Sequence, residues 1–442
     1  MFNPMSRLSP LFVLFIITLF SCVHEAPNNL DYELSKVMGD KSHYILPSST
    51  EYDKIPQSPV NPLTKEKIAL GNLLFFEPAF ANEAKYTAGL GTYTCSTCHV
   101  VESGFRPGRM QGIADGANGY GEIGERRHMS SLYQAHEVDA QGARPLAVLN
   151  VAFVENTMWN GSFGHTGPNA STRQAWGVSD AFTKLNELEL GALEGQNIAG
   201  LEVHRMMYNK ETITKNKYKK LFDEAFPDMS EEERYSRKAA SFAISAYLRS
   251  LLTDQTPFQD WLKGNHNSMS DQEKRGAILF FGKVGCASCH NGPNLGSMQF
   301  AAVGVDDLFE HGGIKTNIND ARNLGRGGFT LKPEDLYKFR VPQLYNLGDS
   351  GPYFHGGSKN TLEDVVRYFN NGIAENKRVP ESQLSPFFRP LNMNEQEIKD
   401  LTVFLEKSLR DPNLQRYKPT SIVSGLCFPN NDLESQIDLD CR

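Results

Sequence analysis

Long hydrophobic runs are almost absent from this sequence. The one present, ten residues from Leu11 to Phe20, is too short to span a bilayer, which takes about 20 apolar residues. A polytopic membrane protein is therefore excluded. Basic blocks are missing too: 45 Lys and Arg are spread against 52 Asp and Glu, for a formal charge of −7. No stripe of positive charge can track a phosphate backbone, and nucleic acid is not an expected partner. Alternating apolar and polar residues between tight turns never run long enough to suggest a large sheet. Tryptophan occurs three times and cysteine seven times in 442 residues, few enough to place individually. What remains is ordinary globular composition, 40% hydrophobic and 22% charged. At about 100–200 residues per domain there is room for two or three domains.

The N-terminus carries one early base, Arg7, then the apolar run, then Leu19-Phe20-Ser21-Cys22. This order is that of a signal peptide ending in a bacterial lipobox, so residues 1–22 are expected to direct export and Cys22 to be acylated. The expected location is the periplasm of a Gram-negative bacterium, with the membrane reached by a lipid anchor only. Residues 23–56 are polar and hold Pro27, Pro47 and Pro56, and are expected to form a flexible tether. The other cysteines sort into Cys95 with Cys98, Cys286 with Cys289, and Cys427 with Cys441. An oxidising compartment favours a disulfide between the last two, closing a short C-terminal loop; two free tail thiols are the alternative.

Capping boxes mark helix starts. Ser230-Glu231-Glu232-Glu233 precedes an apolar stripe through Ala239, Ala243, Tyr247 and Leu251, which predicts one long helix. Ser270 to Glu273 opens another that ends at Gly282, just before the second cysteine pair. Thr361 and Asn394 open two more. Gly104 to Gly124 holds seven glycines in 21 positions, so neither helix nor strand is expected to persist there; a loop this long is either functional or a floppy insertion. The polar stretch Lys263 to Ser268 is the expected domain boundary, giving domains at 57–265 and 266–442.

Cys95-Ser96-Thr97-Cys98-His99 and Cys286-Ala287-Ser288-Cys289-His290 are two copies of C-x-x-C-H, the attachment signature of c-type haem. Two thiols on one turn reach the two vinyl groups of a porphyrin edge, and the adjacent histidine is carried under the ring to ligate iron. Composition alone predicts about 0.003 occurrences of this pattern in such a chain. A Cys₄ zinc site would leave both histidines coincidental and draw on units 191 residues apart. A thioredoxin-like redox pair wants a strand-to-helix context, which the helix before Cys286 does not supply, and a disulfide across three residues is strained. Two haems in tandem make an electron-transfer pair at least. An enzyme additionally needs one iron with an open position.

The surroundings of the two motifs resemble the bacterial dihaem cytochrome c peroxidase family from Gln57 to Leu409. The matching stretches in the first half are Pro62 to Lys65, Leu70 to Phe75, Leu149 to Phe153 and Trp159-Asn160-Gly161. In the second half they are Lys274-Arg275-Gly276, Cys289 to Pro293, Phe339 to Leu344 and Pro352 to Gly357. The resemblance implies a mainly α fold of two tandem cytochrome c-like haem domains, often dimeric. The haem on His99 would be peroxidatic, and that on His290 would take electrons from a small redox protein, a c-type cytochrome or a cupredoxin. Trp159 matches the tryptophan between the haems and is the candidate electron relay, with a structural core indole as the alternative.

Cleaving hydrogen peroxide requires a proton to move from the inner to the outer oxygen and a donor that polarises the leaving group. The family places a glutamate for this downstream of a glutamine. Here Glu202 or His204 is the candidate shuttle, Glu202 preferred, and Gln196 or Arg205 the polarising donor. In some members a histidine of the Gly-rich loop ligates the first iron at rest; His128 and His136 are the candidates. The usual methionine ligand of the second iron is replaced by Phe369, which leaves Tyr368 and Met298 as possible ligands. An interdomain calcium would use the carbonyls of Ser350 and Pro352, although Arg144 falls where an asparagine ligand is expected. The expected activity is reduction of hydrogen peroxide to water. The alternatives are a dihaem oxidase that modifies tryptophan side chains of a partner protein and a non-enzymatic dihaem electron carrier.

Overall fold

The computed structural model describes Met1 and residues 29–441; the apolar run and Cys22 lie outside the described residues. The helices that frame the two motifs are α1 (Asn29–Met38), α2 (Lys65–Phe75), α3 (Ala192–Val203), α4 (Arg237–Ser250), α5 (Pro257–Leu262), α6 (Asp271–Phe281), α7 (Leu362–Asn371) and α8 (Glu395–Val403). Most of the remaining chain runs as turns and short 3₁₀ segments. Sheet among the described residues amounts to two antiparallel ladders, Ala117–Asn118 with His128–Met129 and Phe300–Ala301 with Phe339–Arg340. The mainly helical expectation holds.

Local chemistry sets the helix starts. Ser270, Thr361 and Asn394 each cap a helix reciprocally with the residue three positions on, Glu273, Asp364 and Glu397. Caps of this kind contribute about 1 kcal/mol each. The long helix expected after Ser230 is instead two: Ser230 opens a single turn, Glu231–Arg234, and Ser236 accepts from the Ala239 N–H at 3.3 Å to start α4 afresh. A hydroxyl at the right position competes with helix continuation, and here it wins.

Two apolar cores result. The first gathers Leu70, Leu74 and Phe75 of α2 against Ala243 and Tyr247 of α4; the second gathers Phe280 of α6 against Leu401 and Phe404 at the end of α8. Both use the same device at the helix crossing. A side chain on Gly71 would overlap the Ala243 carbonyl, and one on Gly276 would overlap the Asp400 carbonyl. Each glycine lets two helix backbones touch, on the helix that precedes a C-x-x-C-H turn in the chain.

The ends of the chain are crossed between these cores. Residues 29–56, expected as a tether, are built in. Leu34 and Leu46 are buried in the second core, Asp31 takes the Trp261 indole N–H at 2.7 Å and the Lys274 ammonium at 2.8 Å, and Gln259 bridges Tyr44 and Leu46. Apolar residues at helical spacing within a polar segment outweighed its prolines. Conversely Leu414, Tyr417 and Ile422 return to the first core, so the cores do not part at residue 266, and Phe258 and Trp261 of α5 already belong to the second.

The Gly-rich segment is held rather than floppy. Beyond the Cys427–Cys441 disulfide pairing, the tail grips it with two carboxylates. Asp432 accepts from the Gly119 N–H and the Arg127 guanidinium, and Asp438 from the Tyr120 and Gly121 N–H groups and from Arg126. The tail also reaches the first motif, where the Thr94 hydroxyl donates to the Pro429 carbonyl at 3.1 Å.

Candidate haem sites and the link between them

Each C-x-x-C-H forms one tight turn. The first is stiffened by the Thr94 N–H donating to the Thr97 hydroxyl at 2.9 Å, and the amide of His99 closes on the Cys95 carbonyl at 3.1 Å. His290 closes on Cys286 in the same way at 2.9 Å. The rings are oriented alike: His99 Nδ1 lies 3.1 Å from the Phe105 carbonyl, and His290 Nδ1 lies 3.1 Å from the carbonyls of Leu295 and Pro342. A backbone acceptor at Nδ1 selects the tautomer that leaves Nε2 as the free, ligating nitrogen. Burial pulls both histidines down to about 4, so they are neutral, the ligand form. None of the four motif cysteines is in a disulfide, and burial pushes the Cys95 and Cys286 thiols up to about 12. Among the described residues no group of three or more His, Cys, Asp or Glu is placed to hold a metal.

The residues present fit haem for a second reason. Arg106 and Arg340 are buried and line one small cavity with Leu149, Val154 and Pro342, and Arg109 is nearby in the chain. Among the described residues no carboxylate pairs with any of the three, and Arg106 Nε and Arg109 Nη1 have no partner at all. Burial pulls Arg106 and Arg340 down to about 10, which still leaves them charged at neutral pH. Buried cations without counter-charges are costly, and the two propionates of a haem are the kind of anion that would answer them.

Beside the first motif the structure separates the proton-shuttle candidates. Glu202 ends α3 facing solvent, its side chain 53% exposed and paired with Arg237 at 2.6 Å, away from any buried chemistry. His204 instead places Nδ1 2.7 Å from the buried Asp139 Oδ2, and its charge is felt at His99. Burial alone would lower the His204 pKa, but the Asp139 charge and hydrogen bond outweigh it and the net shift is upward. The preference for Glu202 is therefore reversed. Arg205 is committed to Asp115 and the Glu137 carbonyl, and Asp115 to the Tyr133 hydroxyl at 2.6 Å, so Arg205 braces the site rather than facing it. Gln196 is half-buried on α3. His128 and His136 are exposed, His128 leaning toward Glu434 of the tail, and neither is brought to His99.

Between the motifs, Trp159 is half-buried with its indole N–H on the Arg144 carbonyl at 2.7 Å, edge-on to Phe339 and His355. His355 stacks on Phe339 and meets Asp307 at 2.8 Å, and burial pulls its pKa down to about 3. Around the second motif Phe369 packs with Phe354, Tyr368 and Phe388, and the Tyr368 hydroxyl is engaged with the Val303 carbonyl at 2.6 Å. Tyr368 is thus turned away from ligation. Met298 is half-buried opposite Val341, whose neighbour Pro342 holds His290. Of the two carbonyls expected to hold calcium, that of Ser350 accepts from the Arg144 guanidinium at 2.8 Å, and the Gly351 carbonyl, before half-buried Pro352, does so at 2.9 Å.

Sequence reasoning missed Asp139 and the uncompensated arginines. Asp139 stands 65 residues from His204 and carries no motif. Arg144 was visible only as a residue out of pattern.

Two C-x-x-C-H turns, each with a neutral histidine, and buried arginines without carboxylate partners among the described residues fit the class of c-type haem proteins. Residues 65–267 match the model of the di-haem cytochrome c peroxidase family. The relatives this chain is similar to include both cytochrome c peroxidases and MauG proteins. The chain is 28% identical over 384 residues to the cytochrome-c peroxidase IdrP1 of Denitromonas iodatirespirans, covering 81% of this chain and 86% of the relative. It is likewise 28% identical over 363 residues to the methylamine utilization protein MauG of Methylorubrum extorquens, covering 81% and 83%. Among solved structures, a MauG-like protein associated with microbial copper homeostasis superposes with a TM-score of 0.56 at 24% identity, covering 84% of this chain and 95% of that one. The diheme peroxidase BthA of Burkholderia thailandensis gives 0.51 at 16%, covering 81% and 89%. These two likenesses are of fold. Among the described residues no helix is long and apolar enough to cross a membrane.

Proposed function

We propose that this chain is an exported, lipid-anchored dihaem peroxidase that reduces hydrogen peroxide to two waters, taking two protons and two electrons, the electrons from a small c-type cytochrome or cupredoxin. When bound, the haems supply the iron that meets peroxide and the store of electrons. The protein's share is attachment, orientation and proton handling. Cys95, Cys98 and His99 hold the peroxidatic group, and Cys286, Cys289 and His290 the electron-receiving one. Arg106 and Arg340 answer the propionates. His204, steadied by Asp139, takes the proton of the inner peroxide oxygen at Nε2 and returns it to the outer one, turning a poor leaving group into water. Gln196 on α3 is the polarising donor, and Trp159 is the relay between the two sites.

The observation that carries this reading is the His204–Asp139 pair beside His99, where neither His128 nor His136 reaches. An electron carrier has no use for an acid/base pair at a haem. One observation favours a second reading, the protein-modifying oxidase: Phe369 stands where the methionine ligand of the peroxidases is usual. Stopped-flow mixing of the haem-loaded protein with hydrogen peroxide, with and without reduced cytochrome c or azurin-like donor, separates the readings. Fast multiple turnover with donor is the expected result. A long-lived oxidised spectrum without turnover replaces it with the oxidase, and an unchanged spectrum with the carrier.

A further inference from the structure

Arg144 is among the largest fully buried side chains, and among the described residues no carboxylate meets it. Its guanidinium is spread instead over five backbone carbonyls. On one side these are Pro107 at 3.2 Å, Arg109, and Met110 at 3.4 Å; on the other, Ser350 at 2.8 Å and Gly351 at 2.9 Å. The first group follows Phe105, which holds the His99 ring, and the second leads into Tyr353 to His355. The backbone of the same residue donates its N–H to the His355 carbonyl at 2.7 Å and gives its carbonyl to the Trp159 indole at 2.7 Å. Trp159 in turn accepts the Arg340 N–H on its own carbonyl at 2.7 Å, two residues before Pro342, which holds the His290 ring. An unbroken frame thus runs from one histidine to the other, with Arg144 joining the two segments and Trp159 hung from it.

We propose that Arg144 is the positioning residue of the inter-haem relay: its planar fork clips the 107–110 segment to 350–351, and its carbonyl fixes the Trp159 indole in the one orientation that spans the two sites. The proposal rests on the reading of Trp159 as the relay. Arginine suits the task because the two terminal nitrogens of its rigid planar fork, Nη1 and Nη2, reach carbonyls of two segments at once while Nε is left without a partner, whereas lysine offers three donors from a point. The ring of carbonyl dipoles is what makes a buried charge tolerable here without a carboxylate. Each transfer moves one electron from iron to iron, and the indole begins and ends neutral with its N–H retained.

The test compares haem-loaded wild type with Arg144→Met, Arg144→Lys and Trp159→Phe. Ultraviolet resonance Raman reads the hydrogen bond of the Trp159 indole, assigned by its loss in Trp159→Phe. Pulse radiolysis reads the rate at which an electron equilibrates between the haems, with no peroxide present. Arg144→Met is expected to weaken the indole band and slow equilibration at least tenfold with both haems attached, and Arg144→Lys to fall between. An unchanged band and rate in Arg144→Met, with Trp159→Phe slow, overturns the positioning proposal. An unchanged rate in Trp159→Phe overturns the relay reading itself. Should Arg144→Met fail to accumulate, an unchanged band and rate in Arg144→Lys overturns the proposal in its place.

Discussion

His204 Nδ1 and Asp139 Oδ2 lie 2.7 Å apart across 65 residues of sequence. The carboxylate is nearly buried, while the imidazole keeps about a third of its surface open on the far edge. A histidine tied at Nδ1 to a buried carboxylate presents Nε2 in a defined tautomer and supports charge on the ring, the arrangement general acid/base work requires.

Replacing that ring should therefore be expensive. His204→Gln is expected to slow peroxide cleavage by about 10²–10⁴, the usual range for a lost proton-transfer group, with peroxide binding and haem content little changed. Single-turnover stopped-flow at fixed pH checks it, and a rate within twofold of wild type removes His204 from the mechanism.

The pH dependence follows from the same pair. Because Asp139 raises the folded pKa of His204, the neutral, proton-accepting form gains population only above the ordinary histidine value of about 6.5. Cleavage should rise with pH through an inflection above that value, and Asp139→Asn should move the inflection down. Stability runs the other way. A raised folded pKa contributes stability that is fully present below about pH 6.5 and is lost as pH climbs through the folded value. Denaturant titrations of wild type and Asp139→Asn should therefore converge toward alkaline pH.

Glu202→Gln is expected to do very little. The side chain is more than half exposed in a pair with Arg237, and exposed pairs are worth about 0–1 kcal/mol. Peroxide kinetics should stay within twofold of wild type. A hundredfold loss would show that α3 turns Glu202 inward in solution.

Gly71→Ala tests the first core. The added methyl would strike the Ala243 carbonyl, so α2 and α4 must separate, at about 1–3 kcal/mol for overpacking of this kind. Thermal unfolding of the haem-loaded variant checks it, with Gly276→Ala as its counterpart in the second core.

The tail prediction concerns mobility. Asp438→Asn, or Cys441→Ser, should loosen the contacts on Gly119 to Gly121, and amide exchange there should quicken while the helices stay protected. Unchanged exchange in both variants would mean that the loop is held without the tail.

Several of these features could be read before the fold was known. The C-x-x-C-H turns announce themselves because covalent attachment fixes both residue type and spacing. The caps at Ser270, Thr361 and Asn394 were legible because capping is local. Asp139, Arg106 and Arg340 were not, because their meaning lies in what surrounds them: one stands opposite a histidine 65 residues on, and two lack counter-charges in a cavity built from distant segments. Glu202 and His204 were open alternatives in the sequence, because an insertion blurs the register there, and it is direction that separates them: two residues along a helix end divide an exposed carboxylate from a half-buried imidazole. Residues 29–56 misled through composition, where a few apolar positions among prolines sufficed to dock them.

The crossed chain ends constrain the order in which this protein can be completed. A chain crossing a membrane N-terminus first delivers Cys95 and Cys98 hundreds of residues before Pro429, Asn430 and Asp432, the groups that close over that turn and over the loop beside it. The first attachment site to emerge is thus the last to be sealed. On the exported haem-protein reading proposed above, its thiols would stay open until the final segment arrives, and a chain that stops short near residue 426 would retain both C-x-x-C-H motifs and lack the clasp over the first.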